Sequence, residues 1–267
     1  MSFKSPDTFV HCNFLTDELS VPDDSSLIVE AFFAETKDFS SEYSNIKNFI
    51  NSEDKLKAER LHLVEDRYTY LICHTLLRLV LSRRLNIDPE EIPIVYDRNN
   101  KPWIRENPLF FNISHSREAF AFAISQYSRV GIDLEKVDRN INFESITKRF
   151  FSREENEFIL ESPCDSTDRF FLLWTRKEAL LKALGTGIIT NLSRIEVFRQ
   201  KNIFDRELFG NMVDDSLFCD YYIYSKKMLD YYISIAVPQK SEVLIHQPDM
   251  GEAVNSNYLL SILRSYK

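Results

Sequence analysis

Apolar positions along the chain fall into two rhythms. "SLIVEAFFAE" (26–35) is a nearly unbroken run of aliphatic and aromatic residues, which predicts a buried strand. "SEDKLKAERLHLVEDRYTYLICHTLLRLVLSRRL" (52–85) instead repeats its apolar residues at helical spacing and predicts two helices that break near Val64. Pro89 in "NIDPEEI" closes that region. The turn sequence "YDRNNKP" then leads to "LFFNIS" (109–114) and "AFAFAIS" (119–125), expected to pair as strands. From about Ser128 the order begins again with a strand in "VGIDLEKV". Ser152 with Glu155 three residues on is a capping-box start for a helix, and a stronger helix runs from about Asp168 to Leu184, stopped by Gly185. "LFCDYYIYSKK" and "DYYISIAV" predict a hairpin, and "NSNYLLSILRSYK" a last helix. Each half therefore mixes helices with a small sheet, an α+β organisation divided near residues 127 and 128, with no residue-level repeat between the halves.

Composition adds exclusions. The chain has 267 residues, 44% hydrophobic and 28% charged, enough for one large or two smaller cores. A net charge of −8 argues against generic nucleic-acid binding, which needs a concentrated basic surface. Cys12, Cys73, Cys164 and Cys219 are far apart, form no C-x-x-C pair and have no histidines at zinc-ligand spacing, so a reducing cytoplasm is expected. The polar lead-in, residues 1 to about 25, has no unbroken apolar h-region, and nowhere do about 18 uncharged apolar residues run together. Neither secretion nor membrane spanning is expected.

The candidate chemistry is acidic. On a strand, Asp133 and Glu135 of "GIDLE" project to one side while Ile132 and Leu134 project to the other. Two like charges about 4 to 6 Å apart repel by roughly 3 to 4 kcal/mol at an effective dielectric near 20. Solvation at a strand end, a basic partner or a bound divalent cation would each relieve this. In "FFLLWTRKEALLKALGTG" (170–187), Trp174, Glu178 and Lys182 form one helical stripe flanked by apolar residues. Its spacing admits either an ordinary i,i+4 ion pair or the wall of a partly buried cleft. "FNISHS" (111–116) gathers Asn112, Ser114, His115 and Ser116 at a strand end, and "NNKPWI" (99–104) holds Lys101 in a turn stiffened by Pro102. "ITKRFFSREE" (146–155) sets Lys148, Arg149 and Arg153 beside Phe150 and Phe151, either a docking patch or a pair of core anchors with solvated neighbours.

Taken in order, "NNKPWI", "FNISHS", "GIDLE", "KRFFSREE" and "WTRKEALLKALGTG" resemble the Sfp-type 4′-phosphopantetheinyl transferases, whose hallmarks read F-N-x-S-H-S, G-x-D-x-E and W-x-x-K-E-A-x-x-K. The motifs cover roughly residues 50–190. The resemblance implies a pseudo-dimer of two similar α/β halves with the active site in the cleft between them. Residues 1–127 would supply the coenzyme A nucleotide contacts, and 128–267 the magnesium site and catalytic helix. It implies transfer of the 4′-phosphopantetheine group from coenzyme A to a serine of an acyl, peptidyl or aryl carrier protein, leaving adenosine 3′,5′-bisphosphate. The implied protein is a cytoplasmic monomer with no nucleic-acid or membrane partner. Asp133, Glu135 and Glu178 match the magnesium carboxylates; Glu178 is also the candidate base, and Lys182 stabilises phosphate or leaving-group charge. Lys57, Lys101, Pro102, Ser114 and His115 match coenzyme A contacts, with His115 at the 3′-phosphate. Two departures stand out: Asn100 replaces the glycine of the usual G-K-P turn, and Asp54 falls where a second upstream lysine is usual, leaving Lys55 or Arg67 to substitute. Two other readings use the same residues: a magnesium phosphohydrolase that cleaves a diphosphate with water, and a non-catalytic module that binds coenzyme A or a carrier.

Overall fold

The apolar run at Ile28–Glu35 forms strand β1, whose last five side chains are all buried, as a strand covered on both faces requires. This and all further geometry come from a computed structural model that describes residues 27–46, 49–106, 109–187, 189, 192–202, 204, 207 and 220–247. Helices α1 (Tyr43–Ile46), α2 (Ser52–Glu59) and α3 (Val64–Leu85) follow, so the helical stretch breaks just before Val64, as its pattern predicts. Asn51 caps α2 by accepting from the Asp54 N–H at 2.9 Å. Two short strands, β2 (Ile94–Tyr96) and β3 (Pro102–Ile104), flank the expected turn, and β4 (Phe110–Ser116) pairs antiparallel with β5 (Ala119–Ser125). The second half contains β6 (Gly131–Lys136), α4 (Glu144–Phe150), α5 (Arg153–Leu160), α6 (Ser166–Leu184), β7 (Lys201–Asn202), β8 (Tyr221–Met228), β9 (Tyr231–Val237) and β10 (Glu242–His246).

The first sheet has the order β10-β1-β5-β4 and the second β6-β9-β8-β7. In both, the leading strand pairs antiparallel with the last strand of a hairpin that follows a long helix. Strand β10 departs from the sequence order, because it returns from the second half to pair parallel with β1.

Side-chain alternation explains the layering. Phe32, Phe120 and Phe122 face α3, while Ala31, Phe33, Ala119, Ala121 and Ala123 face Ile132, Leu134, Ile233 and Ile235 of the second sheet. The alanines keep that sheet-to-sheet contact thin. The opposite face of the second sheet packs on α6 through Leu180, Ala183, Tyr221 and Ile223. Strand β6 therefore buries Ile132 and Leu134 between the sheets and turns Asp133 and Glu135 toward α6.

The capping box at Ser152 and Glu155 forms as its spacing predicts, and α6 ends at Gly185 with φ +75°. Strands β2 and β3 are too short for period-two alternation to register, and β10 is half polar, so none of the three was expected from the sequence. The expected terminal helix and the polar lead-in lie outside the described residues. Among the described residues no helix is long and apolar enough to cross a membrane.

Candidate active site

Strands β4 and β6 belong to different sheets, and side chains rather than backbones bridge them. The Ile132 N–H donates to Asn112 Oδ1 (2.9 Å), that of Leu134 to Ser114 Oγ (3.2 Å) and that of Lys136 to Ser116 Oγ (3.1 Å). The three acceptors share one face of β4 and meet every second residue of β6. They satisfy edge N–H groups whose burial unpaired would be costly. This is the structural work of "FNISHS" that its polarity alone did not disclose.

The same serines hold the acids. Ser114 Oγ donates to Asp133 Oδ1 (3.0 Å) and Ser116 Oγ to Glu135 Oε2 (2.9 Å). From α6, Lys182 Nζ donates to Asp133 Oδ1 (2.7 Å) and to Ser114 Oγ (2.8 Å). The lysine thus reaches across to the strand instead of back along its helix to Glu178. Gly131 permits this approach: a Cβ there would stand 2.0 Å from the Ala179 carbonyl oxygen and 2.3 Å from the Ala183 nitrogen.

Burial, and then the Asp133 charge, push both Glu135 and Glu178 up to about 7. Asp133 Oδ2 and Glu178 Oε1 are buried and have no hydrogen-bond partner. Among the described residues no three acids, histidines or cysteines are already gathered into a metal-binding cluster. The donor set nevertheless suits a hard cation, since it is all oxygen and two of its buried oxygens carry unfilled lone pairs.

This electrostatics has a testable consequence. A carboxyl whose folded pKa is raised from 4.5 to about 7 holds a proton that the unfolded chain releases. Such a group costs stability progressively as pH rises through that window. Glu178→Gln should match the wild type in Tm near about pH 5 and exceed it by several degrees near about pH 8, both in chelator. Thermal scans across pH check this; a difference that does not widen with pH contradicts it.

Beside the acids lies a cleft of about 580 Å³ whose lining includes Lys57, Tyr70, His74, Tyr96, Pro102, Ser114, His115 and Lys182. Five of the sequence-predicted residues therefore meet there: Lys57, Pro102, Ser114, His115 and Lys182. Lys57 pairs with Glu53 at 2.8 Å and lies 3.5 Å from the centre of the Tyr96 ring. His115 is exposed at the lip, where desolvation and then the Lys182 charge hold its imidazole below the usual pKa. Lys101 is not among the cleft residues: its Nζ turns to the carbonyls of Lys182 and Ala183. Arg67 is committed elsewhere too, donating from Nε to the Leu61 carbonyl (2.7 Å).

Tyr70, His74 and Tyr96 were not anticipated. Tyr70 and His74 stack with centroids 3.9 Å apart, and buried Asp54 anchors them by accepting from Tyr70 Oη (3.1 Å) and Arg78 Nε (2.8 Å). Burial lowers His74 to about 4, so its ring is neutral in this wall. The signal was legible: Tyr70, His74 and Arg78 form an i, i+4, i+8 stripe like that of Trp174, Glu178 and Lys182. Asp54, which breaks the family pattern, is the residue that organises them.

Of the residues in "ITKRFFSREE", Phe151 is buried against Phe170 and Trp174, and Phe150 meets Trp174 edge-on. Lys148 and Arg153 each pair within their own helix, with Glu144 and Glu157. The aromatics are anchors.

Residues 129–236 match the profile of the 4′-phosphopantetheinyl transferase superfamily, and residues 37–127 match a profile described as 4′-phosphopantetheinyl transferase, N-terminal. The chain is similar to the 4′-phosphopantetheinyl transferase HetI of Nostoc sp., 32% identical over 162 residues, which is 59% of this chain and 68% of the relative. It is similar also to the 4′-phosphopantetheinyl transferase Sfp of Bacillus subtilis, 34% identical over 158 residues, 58% of this chain and 69% of the relative. The corresponding protein psf-1 of Bacillus pumilus is 32% identical over 159 residues, 59% of this chain and 67% of the relative. The chain belongs to the 4′-phosphopantetheinyl transferase superfamily. Within it, the chain is of the Sfp type that its motifs resemble.

Proposed function

We propose that the chain transfers the 4′-phosphopantetheine group from coenzyme A to a serine of an apo acyl or peptidyl carrier protein, with Asp133, Glu135 and Glu178 holding a magnesium ion. The observation that carries the metal reading is the pair of buried, unpartnered oxygens, Asp133 Oδ2 and Glu178 Oε1, beside Lys182 at the end of the cleft. When bound, magnesium would neutralise charge on the diphosphate oxygens of coenzyme A and improve the leaving group.

The chain's own residues do the rest. A serine hydroxyl is a weak nucleophile at neutral pH and needs a base in reach. Glu178 takes that role, as the carboxylate one helical turn before Lys182 on the same face of α6. Lys182 contributes a point charge to the phosphates. Lys57, Pro102, Ser114 and His115 address the nucleotide end, with Tyr70, His74 and Tyr96 offering aromatic surface.

The matched strand–helix–hairpin order of the two sheets supports a pseudo-dimer, with halves at 1–127 and 128–267 apart from β10, which crosses back to the first sheet, and the active site at their seam. Free thiols at Cys73 and Cys164 suit a reducing, cytoplasmic setting, and the protein is taken as a monomer.

Removing the metal tests this reading. Chelator should abolish carrier modification and added magnesium should restore it; undiminished turnover in chelator contradicts the assignment. For the nucleotide end, His115→Ala should weaken coenzyme A by roughly 10- to 150-fold, the loss of a hydrogen bond to a charged group, and 3′-dephospho-coenzyme A much less. Binding titrations with both ligands decide it: equal weakening removes His115 from the 3′-phosphate.

A further inference from the structure

The turn between β2 and β3 grips the end of the helix that carries Glu178 and Lys182. Asp97 Oδ1 accepts from the N–H groups of Asn99 (2.8 Å) and Lys101 (2.9 Å), which folds the turn. Asn99 Nδ2 then donates to the Gly185 carbonyl (2.5 Å), and Lys101 Nζ donates to the carbonyls of Ala183 (3.0 Å) and Lys182. The last carbonyls of a helix lack partners within it. Here the N–H groups of Gly185 and Thr186 both return to the Leu181 carbonyl, which leaves those of Lys182 and Ala183 to the lysine. A cation at this end of a helix is also favoured by the macrodipole. The hairpin that carries the turn supplies Tyr96, Asn100 and Pro102 to the cleft. One short turn therefore joins the cleft wall to the last turn of α6.

We infer that Lys101 is a positioning residue for the transfer reaction: it holds the C-terminal turn of α6, and so the Lys182 side chain, in register with the hairpin that walls the cleft. This rests on the proposed function, because the cleft must receive coenzyme A for the register to matter. Lys101 acts through the backbone of Lys182 and touches no substrate.

The test compares the full chain with Lys101→Met and Lys101→Arg, using coenzyme A, magnesium and an apo carrier domain. Lys101→Met should lower kcat about 10- to 100-fold at saturating coenzyme A, since displacement by about 1 Å can cost that much. The KM for coenzyme A and the number of molecules that bind it should stay within about threefold. Lys101→Arg should restore most of kcat, because its guanidinium still donates to the two carbonyls. Amide exchange at Gly185 and Thr186 should quicken in Lys101→Met while the middle of α6 is unchanged. A raised KM with kcat retained would assign Lys101 to the ligand and overturn the inference. Unchanged kcat overturns it as well, as does faster exchange along the whole of α6 with loss of binding-competent molecules. Failure of the wild type to modify a carrier would sink the functional reading instead, and the exchange comparison would still be readable.

Discussion

Asp133→Ala and Glu178→Ala should each abolish transfer and leave the protein folded. Asp133 is the hub of the site: its Oδ1 receives both Ser114 and Lys182, its Oδ2 is buried without a partner, and its charge helps raise both neighbouring glutamates. Replacing it removes a proposed metal ligand and frees Lys182 from its carboxylate. Glu178→Ala removes a proposed ligand and the proposed base together, and loss of general-base catalysis alone costs roughly 10²- to 10⁴-fold. Neither truncation leaves a large void, and Glu178→Ala deletes a carboxyl that burial already disfavours. The apo Glu178→Ala protein should therefore keep its Tm or gain slightly. Steady-state kinetics with circular dichroism measures both halves of this expectation. Near-normal turnover in a well-folded Asp133→Ala at saturating magnesium would falsify the metal assignment.

The largest stability effect is expected at Lys177, one residue before Glu178 in the same motif. Lys177 and Glu155 are fully buried and paired at 2.8 Å. Lys177 Nζ also donates to the carbonyls of Leu192 (3.0 Å) and Ile195. The Glu155 carboxylate accepts the N–H groups of Ser152 (3.0 Å) and Val197 (3.1 Å). One ion pair thus joins the start of α5, the middle of α6 and the segment after it, and the cost of burying both charges is met by a full set of partners. Lys177→Ala leaves a carboxylate sealed without its cation, which costs about 3 to 5 kcal/mol. Domain stabilities run from about 5 to 15 kcal/mol, so Tm should fall by roughly 10 °C or more. Whatever remains folded at low temperature should keep its KM for coenzyme A, because Lys177 faces the core. Calorimetry on the single variant and on Lys177→Met with Glu155→Leu checks this. The double variant should recover only the share due to the unpaired carboxylate, because the N–H groups of Ser152 and Val197 lose their acceptor in it as well, and a single variant within about 1 kcal/mol of wild type would contradict the account.

The difference between Lys177 and Lys182 shows what was legible in the sequence. Helical spacing placed Trp174, Glu178 and Lys182 on one stripe, and strand alternation placed Asp133 and Glu135 on one face; both placements hold, because periodicity is a property of the local backbone. Which partner each charge takes is set by tertiary approach. Lys182 chose Asp133 over Glu178 because Gly131 lets β6 and α6 close together, and Lys101 was drawn to the end of α6 by a turn that only the folded hairpin presents. The wall of Tyr70 and His74 depends on Asp54, a residue whose burial no local pattern announced. Strand β10 was hidden for a similar reason, since its partner β1 lies at the other end of the chain.

The most direct measurement is the mass of an apo carrier domain, and of the small products, after incubation with this protein, coenzyme A and magnesium. The account predicts that the carrier gains one phosphopantetheine group on its serine and that adenosine 3′,5′-bisphosphate appears in equal amount. Free 4′-phosphopantetheine with an unmodified carrier would contradict it in favour of hydrolysis, and no product at all would leave only a binding module.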